Sequence, residues 1–209
     1  MGDFEWAGEA FREGAAFTAF DIETTGLYLG TDRIVELGAV KFDRLGVTSR
    51  FSVLINPGIP MPPGASRING IDDVMLKDKA PLEEALPDFL RFIAGSILVA
   101  HNASFDCGFI NEGLKRYYKG DKAPCGSQGG LWEDGGPEQA DCFSSPFREL
   151  PNRIVDTLAL AREVFPGRTS YKLQALAGEF GIDIKEAHRA MDDARVCMEL
   201  FTACIKKEY

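Results

Sequence analysis

The chain has 209 residues, 45% of them hydrophobic, with 23 Lys and Arg against 32 Asp and Glu, a formal net charge of −9. That length and composition suit one sizeable globular core and speak against two domains, and no apolar run approaches the length of a membrane span. The acidic balance excludes an extensive duplex-coating surface, which needs lysine and arginine.

The first ten residues have neither the basic region nor the apolar stretch of a signal peptide, and Trp6 stands where a myristoylation motif needs Ser or Thr. A cytoplasmic protein with no membrane contact is the expectation. Five cysteines without a C-x-x-C pair form neither a disulfide framework nor a zinc knuckle.

Residues 1–15 show no strong pattern and read as a polar lead-in. Phe17 to Phe20 is nearly all apolar, as in a strand buried on both faces, and two carboxylates follow at its end. Strand alternation puts Asp21 and Glu23 on one face and Ile22 on the other. Two like charges at the edge of a core need a positive partner, and Mg²⁺ or Mn²⁺ suits two carboxylates.

Arg33 to Asp43 and Thr48 to Ile55 read as two strands turning near Leu45 and Gly46, a hairpin beside the first strand. The run N-P-G-I-P-M-P-P-G cannot be a regular element. A short helical turn is expected over 66–71 and a longer helix over 81–94, with Pro87 near a break or in an early turn. Ser96 to Ala100 is a short apolar run of buried-parallel type, leading into H-N-A-S-F-D and a helix to Tyr118.

Residues 119–152 are rich in glycine and proline without a period and read as a surface insertion in a single domain spanning 1–209. No Gly-Lys-Ser/Thr follows its glycines, so it is not a phosphate loop. Arg153 to Asp156 reads as a last short strand, with Asp156 and Thr157 capping a helix to Val164. Helices over 172–180 and 187–205 complete a mixed α/β sheet.

Two more acids stand where apolar side chains belong. Asp106 shares a helix face with Phe109, Ile110, Gly113, Leu114 and Tyr117, and Asp193 lies in line with Val196, Cys197, Leu200 and Phe201. Asp192 lines up instead with Arg189, Arg195 and Glu199 on the expected solvent face. Four inward carboxylates, each at an element's end, have the look of a divalent-metal cage. Both histidines, His101 and His188, fall beside these acids, and His188 is of the type that takes a proton from water near neutral pH.

In this order, F-D-I-E-T-T-G-L, H-N-A-S-F-D, D-T-L-A-L-A-R and A-H-R-A-M-D-D-A resemble the DEDDh 3′-to-5′ exonucleases, the superfamily of the proofreading epsilon subunit of bacterial replicative DNA polymerase. The resemblance covers about 17–201. It implies a ribonuclease-H-like five-stranded mixed sheet flanked by helices. It also implies two divalent metal ions, Mg²⁺ or Mn²⁺, held by Asp21, Glu23, Asp106 and Asp193, with His188 as general base.

By position, the resemblance has Thr24 and Leu27 meeting the terminal sugar and base, and Asn102 and Phe105 lining the same pocket. Asn69 stands in a substrate-contacting segment where relatives often carry histidine, so stacking at Asn69 is not implied. The implied substrate is the 3′ end of single-stranded DNA, with RNA ends or short oligoribonucleotides as the alternative, and a DNA polymerase subunit is the implied partner. The chain ends soon after its last helix, without the extension through which proofreading subunits meet a polymerase, so exonuclease chemistry is the firmer expectation.

An aspartyl phosphatase is a weaker fit, because D-I-E-T-T has Glu23 where that chemistry wants aspartate. A non-catalytic interaction module should have lost a metal ligand, and none is missing.

Overall fold

The structure is a computed structural model that describes residues 2–117 and 149–208. Its centre is β1 (Phe17–Thr24), flanked by the antiparallel β2 (Ile34–Asp43) and the parallel β4 (Ile97–Ala100). Outside these lie β3 (Gly46–Leu54), antiparallel to β2, and β5 (Ile154–Asp156), parallel to β4, giving the order β3-β2-β1-β4-β5. The mixed five-stranded sheet is the expected fold, and the carboxyl ends of β1, β4 and β5 open on one side of it.

Alternation along β1 sends its side chains into two different cores. Phe17 and Ala19 pack beneath α1 (Glu5–Arg12), α6 (Thr157–Val164), α7 (Leu173–Phe180) and α8 (Ala190–Glu208). Phe20 and Ile22 face α4 (Leu82–Ile93) and α5 (Ala103–Tyr117). Asp21 and Glu23, in phase with Phe17 and Ala19, therefore belong to the α8 layer. Two short helices, α2 (Pro63–Asn69) and α3 (Asp73–Leu76), cover a small third cluster around Val35, Met61 and Ile71.

Several boundaries depart from the sequence reading. The lead-in contains α1, whose Ala7 and Phe11 pack under the sheet, with the Phe11 ring 5.7 Å from both Phe17 and Phe201. Pro87 sits inside α4 without ending it. It lacks an N–H and crowds the Glu83 carbonyl, but Leu86, Phe89, Leu90 and Ile93 bury the helix on both sides of it. α8 begins at Ala190 rather than Ala187, because His188 has φ 61°, outside the right-handed helical region.

Most of the 119–152 segment lies outside the described residues. Its last residues are tied to the fold: the Leu150 N–H donates to Asn111 Oδ1 (2.8 Å), and Asn152 Nδ2 donates to the carbonyls of Ile93 and Ser96.

One close approach sets where α8 sits. Gly38, opposite Asp21 on β2, lies so near the start of α8 that an added Cβ would be 2.2 Å from the Ala190 carbonyl carbon and 2.3 Å from the Met191 nitrogen. Backbone cannot swing aside as a side chain does. Gly38→Ala should thus cost about 3 kcal/mol or more in urea unfolding and lower activity by displacing α8, whereas Gly178→Ala, with open space at its Cβ, should stay within about 0.5 kcal/mol of wild type.

Candidate active site

The acids arrive from both layers. Asp21 and Glu23 end β1, and Asp193 comes from the first turn of α8 in the same layer. Asp106 comes from the first turn of α5 in the opposite layer and reaches over the strand, where its Oδ1 accepts the Ile22 N–H at 3.2 Å. The expected stripes are real: Asp106 and Asp193 are 3% and 5% exposed, buried in line with the apolar residues named for each. These four acids and His188 all line one cavity of about 700 Å³, together with Asn102 and Phe105.

Within that cavity, ligand atoms of Glu23, His188 and Asp193 lie within 4.8 Å of one another. His188 is exposed and held in its left-handed conformation by its own backbone, whose N–H donates to Asp193 Oδ2 at 3.2 Å. The other oxygen, Asp193 Oδ1, is buried and accepts no hydrogen bond among the described residues, although the Gln174 amide lies near enough to ease the charge.

Burial, and then crowding, sets the electrostatics. Burial, then the charges of Asp106, Asp193, Glu23 and Glu36, hold the Asp21 carboxyl well above the ordinary range. Glu23 is pushed up to about 8 by burial first and then by Asp193 and Glu36, against a small lowering by the Asn69 amide. Burial likewise raises Asp106 and Asp193.

The other expected residues are placed less uniformly. Thr24 is buried, its hydroxyl donating to the Gly26 carbonyl at 2.5 Å. Asn69 is also buried: Nδ2 donates to the Thr24 carbonyl and Oδ1 accepts the Ile71 N–H. Leu27 is 75% exposed, at the tip of a loop with Tyr28 and Leu29. That loop is pinned, since Asp32 accepts from the Tyr28 N–H and the Thr25 hydroxyl, while Arg33 and Arg116 both donate to the Gly30 carbonyl. Thr24, Leu27 and Asn69 do not line the cavity itself.

His101 lines the cavity, but both ring nitrogens are engaged. Nε2 meets the Tyr171 carbonyl at 2.8 Å, which requires it to carry the proton, and Nδ1 meets the Thr157 hydroxyl at 3.0 Å. Burial lowers its pKa, consistent with a neutral ring acting as a strut.

Asp192 is not on a solvent face as expected. At 9% exposure it turns back to accept the N–H groups of Lys185 and Glu186 and pairs with Arg195. Burial alone would raise its carboxyl, but hydrogen bonds from Glu186, Arg195 and Lys185 outweigh it and hold the group below its ordinary range.

Glu36 was not singled out from the sequence, although a lone charge within I-V-E-L-G-A-V was the available signal. It is 1% exposed and accepts from Arg189 Nη2 (2.9 Å), Arg189 Nε (3.2 Å) and the Ala190 N–H (3.1 Å). This ion pair straps the segment carrying His188 to the start of β2, opposite Glu23.

Residues 18–201 match the family described as Exonuclease. The chain belongs to this exonuclease family. It is 47% identical over 204 residues to the DNA polymerase III subunit epsilon of Treponema pallidum (strain Nichols), covering 97% of this chain and 81% of that one. It is 36% identical over 199 residues to the DNA polymerase III PolC-type of Caldanaerobacter subterraneus subsp. tengcongensis, of whose length it spans only 12%. Among solved structures, exonuclease X in complex with 5′ overhanging duplex DNA matches with a TM-score of 0.64 at 26% identity, covering 92% of each chain. E. coli exonuclease I in complex with a dT13 oligonucleotide shares the fold, with a TM-score of 0.67 at 19% identity over 93% of this chain and 41% of the other.

The donor set of this exonuclease fits a divalent metal ion. The oxygens are all carboxylate, the ligand type of hard cations. One of them, Asp193 Oδ1, is buried without a donor, and the raised carboxyls mark a site short of positive charge.

Two measurements follow from these electrostatics. Without divalent ions, ionising Glu23 in the folded exonuclease costs stability that is absent below pH 4.5, grows between 4.5 and about 8, and is complete above that. In chelator, Glu23→Gln should therefore melt higher than wild type at pH 8.5, by about 2–4 °C for each kcal/mol recovered, and the gap should close as the pH falls toward 4.5. Excess Mg²⁺ should raise the wild-type melting temperature more than the variant's. Separately, Glu36→Ala leaves the buried Ala190 N–H without its acceptor and Arg189 with Glu186 alone, and should cost about 1–3 kcal/mol in denaturant unfolding, with a fall in activity that Glu36→Gln, which keeps an acceptor, shares only in part.

Proposed function

We propose that this exonuclease hydrolyses the terminal phosphodiester at the 3′ end of single-stranded DNA, releasing nucleoside 5′-monophosphates one at a time as a proofreading activity beside a DNA polymerase in the cytoplasm. The observation that carries it is the meeting of Asp21, Glu23, Asp106 and Asp193 with His188 around one open cavity. The polymerase association rests on the relatives named above, of which one is a polymerase subunit and another a polymerase.

In this reading Asp21, Glu23, Asp106 and Asp193 hold two divalent cations, Mg²⁺ or Mn²⁺. When bound, such ions set positive charge against the phosphoryl oxygens and the leaving 3′ oxygen and make water a better nucleophile at neutral pH. The His188 imidazole takes the proton from the attacking water as its oxygen bonds to phosphorus. The bond from phosphorus to the 3′ oxygen breaks, and that oxygen takes a proton from solvent. Asp193 fixes the main chain that carries the base by accepting the His188 backbone N–H, and Asn102 and Phe105 border the terminal nucleotide. Thr24 and Leu27, at and just beyond the end of β1, meet the terminal sugar and base, with Asn69 holding the Thr24 carbonyl behind them.

The test uses 5′-labelled DNA and RNA of one sequence, with Mg²⁺, Mn²⁺ or chelator. A metal-dependent descending ladder on DNA is expected. Asp21→Asn should slow it about 10³-fold or more and His188→Ala by about 10²- to 10⁴-fold, with both variants still folded. A ladder on RNA alone would reassign the substrate, and full activity in Asp21→Asn would overturn the mechanism.

A further inference from the structure

The cavity has two unlike walls. Besides the carboxylates, α6 and the chain between α6 and α7 line it with Arg162, Thr169, Ser170, Tyr171 and Lys172. Most other arginines near the site are neutralised: Arg189 by Glu36, Arg195 by Asp192 and Glu199, and Arg168 by Glu179. Arg162 and Lys172 are different. Among the described residues neither side chain has an ion pair or a hydrogen bond, and the Arg162 guanidinium lies only over the Tyr171 ring, 5.6 Å from its centroid. In a chain of net charge −9, two unpaired cations share a cavity with four carboxylates and are not drawn into contact with them.

The wall that carries them is fixed. The Tyr171 carbonyl accepts from His101 Nε2, its hydroxyl donates to the Phe165 carbonyl at 2.8 Å, and the same hydroxyl accepts the Arg168 N–H at 3.2 Å. The His101 strut thereby sets the distance between the cationic wall and the end of β4.

We propose that Arg162 and Lys172 form a subsite for a second phosphate, the phosphodiester next to the scissile one on its 5′ side. The scissile phosphate belongs at the carboxylates, where the cations that activate it would sit. A cavity of about 700 Å³ holds no more than a nucleotide or two, so the cations meet the neighbouring phosphate of the same strand. Guanidinium and ammonium groups recognise phosphate by charge-assisted hydrogen bonds, and the Thr169 and Ser170 hydroxyls add neutral donors. Such a subsite gives an acidic enzyme a grip on a polyanion without a basic surface. It rests on the exonuclease reading of the cavity.

The experiment pairs R162Q and K172Q with DNA in which the second linkage from the 3′ end is a neutral methylphosphonate. Wild type should lose about 10- to 100-fold in kcat/KM on the neutral linkage, and R162Q should lose a similar factor on ordinary DNA, mostly through KM. Combined, the two changes should cost little more than either alone. Each variant should also lower the slope of log kcat/KM against log salt by about 0.7. The p-nitrophenyl ester of thymidine 5′-monophosphate, which has one phosphate, should lose far less than DNA does.

Multiplying losses, an equal loss on the ester, or no loss in either variant would overturn the subsite while wild type still cuts DNA. Wild type that cuts neither substrate with any metal would overturn the exonuclease reading, and the subsite with it.

Discussion

Like charge held in one place is the constraint on which this molecule depends. Four carboxylates converge on the end of β1, and their burial, reinforced by mutual repulsion, opposes folding unless protons or cations are present. The fold resists it by taking the acids from separate elements that each have an apolar core of their own. Asp193 rides on a helix whose Val196, Cys197, Leu200 and Phe201 are fully packed, and Asp106 on one anchored by Phe109, Ile110 and Leu114. Neither helix can retreat from the strand without exposing its apolar stripe, so hydrophobic burial of roughly 1.5–3 kcal/mol per large side chain holds the charges together.

That opposition also explains what was legible in the amino-acid order. A charge on an apolar stripe is conspicuous because burial leaves few reasons for it, and so the inward placing of Asp106 and Asp193 is legible in the periodicity, their joint role only in the four acids together. Asp21 and Glu23 were legible through alternation after an apolar strand. The sheet followed from short apolar runs between turn residues, and its five strands have the expected order along the chain.

Other features left weaker traces. α1 buries only Ala7, Gly8 and Phe11, two of them nearly without side chains, so no apolar period stands out. The alignment of Asp192 with charged residues points to solvent, but Arg195 among them is its partner, and a salt-bridged acid can sit beneath it. The start of α8 depended on the left-handed His188, which helix propensity does not reveal. Arg162 and Lys172 are ordinary surface cations by sequence, and only the placing of α6 and of the chain through Tyr171 brings them to the cavity. His101 shows the converse: its position beside the acids suggested chemistry, whereas its two hydrogen bonds show a brace.

The loop after β1 has a thermodynamic meaning of its own. Leu27, Tyr28 and Leu29 are 75%, 76% and 55% exposed, yet the backbone that carries them is closed by Asp32 and by two arginines on one carbonyl. A loop free to wander would surrender about 1–2 kcal/mol of conformational entropy per residue when it settled against a flat apolar ligand. Here that loss has been met during folding, by polar contacts on the side away from the apolar tip. The tip presents its three large side chains as a stiff edge, and contact with it is decided by fit rather than by the cost of ordering.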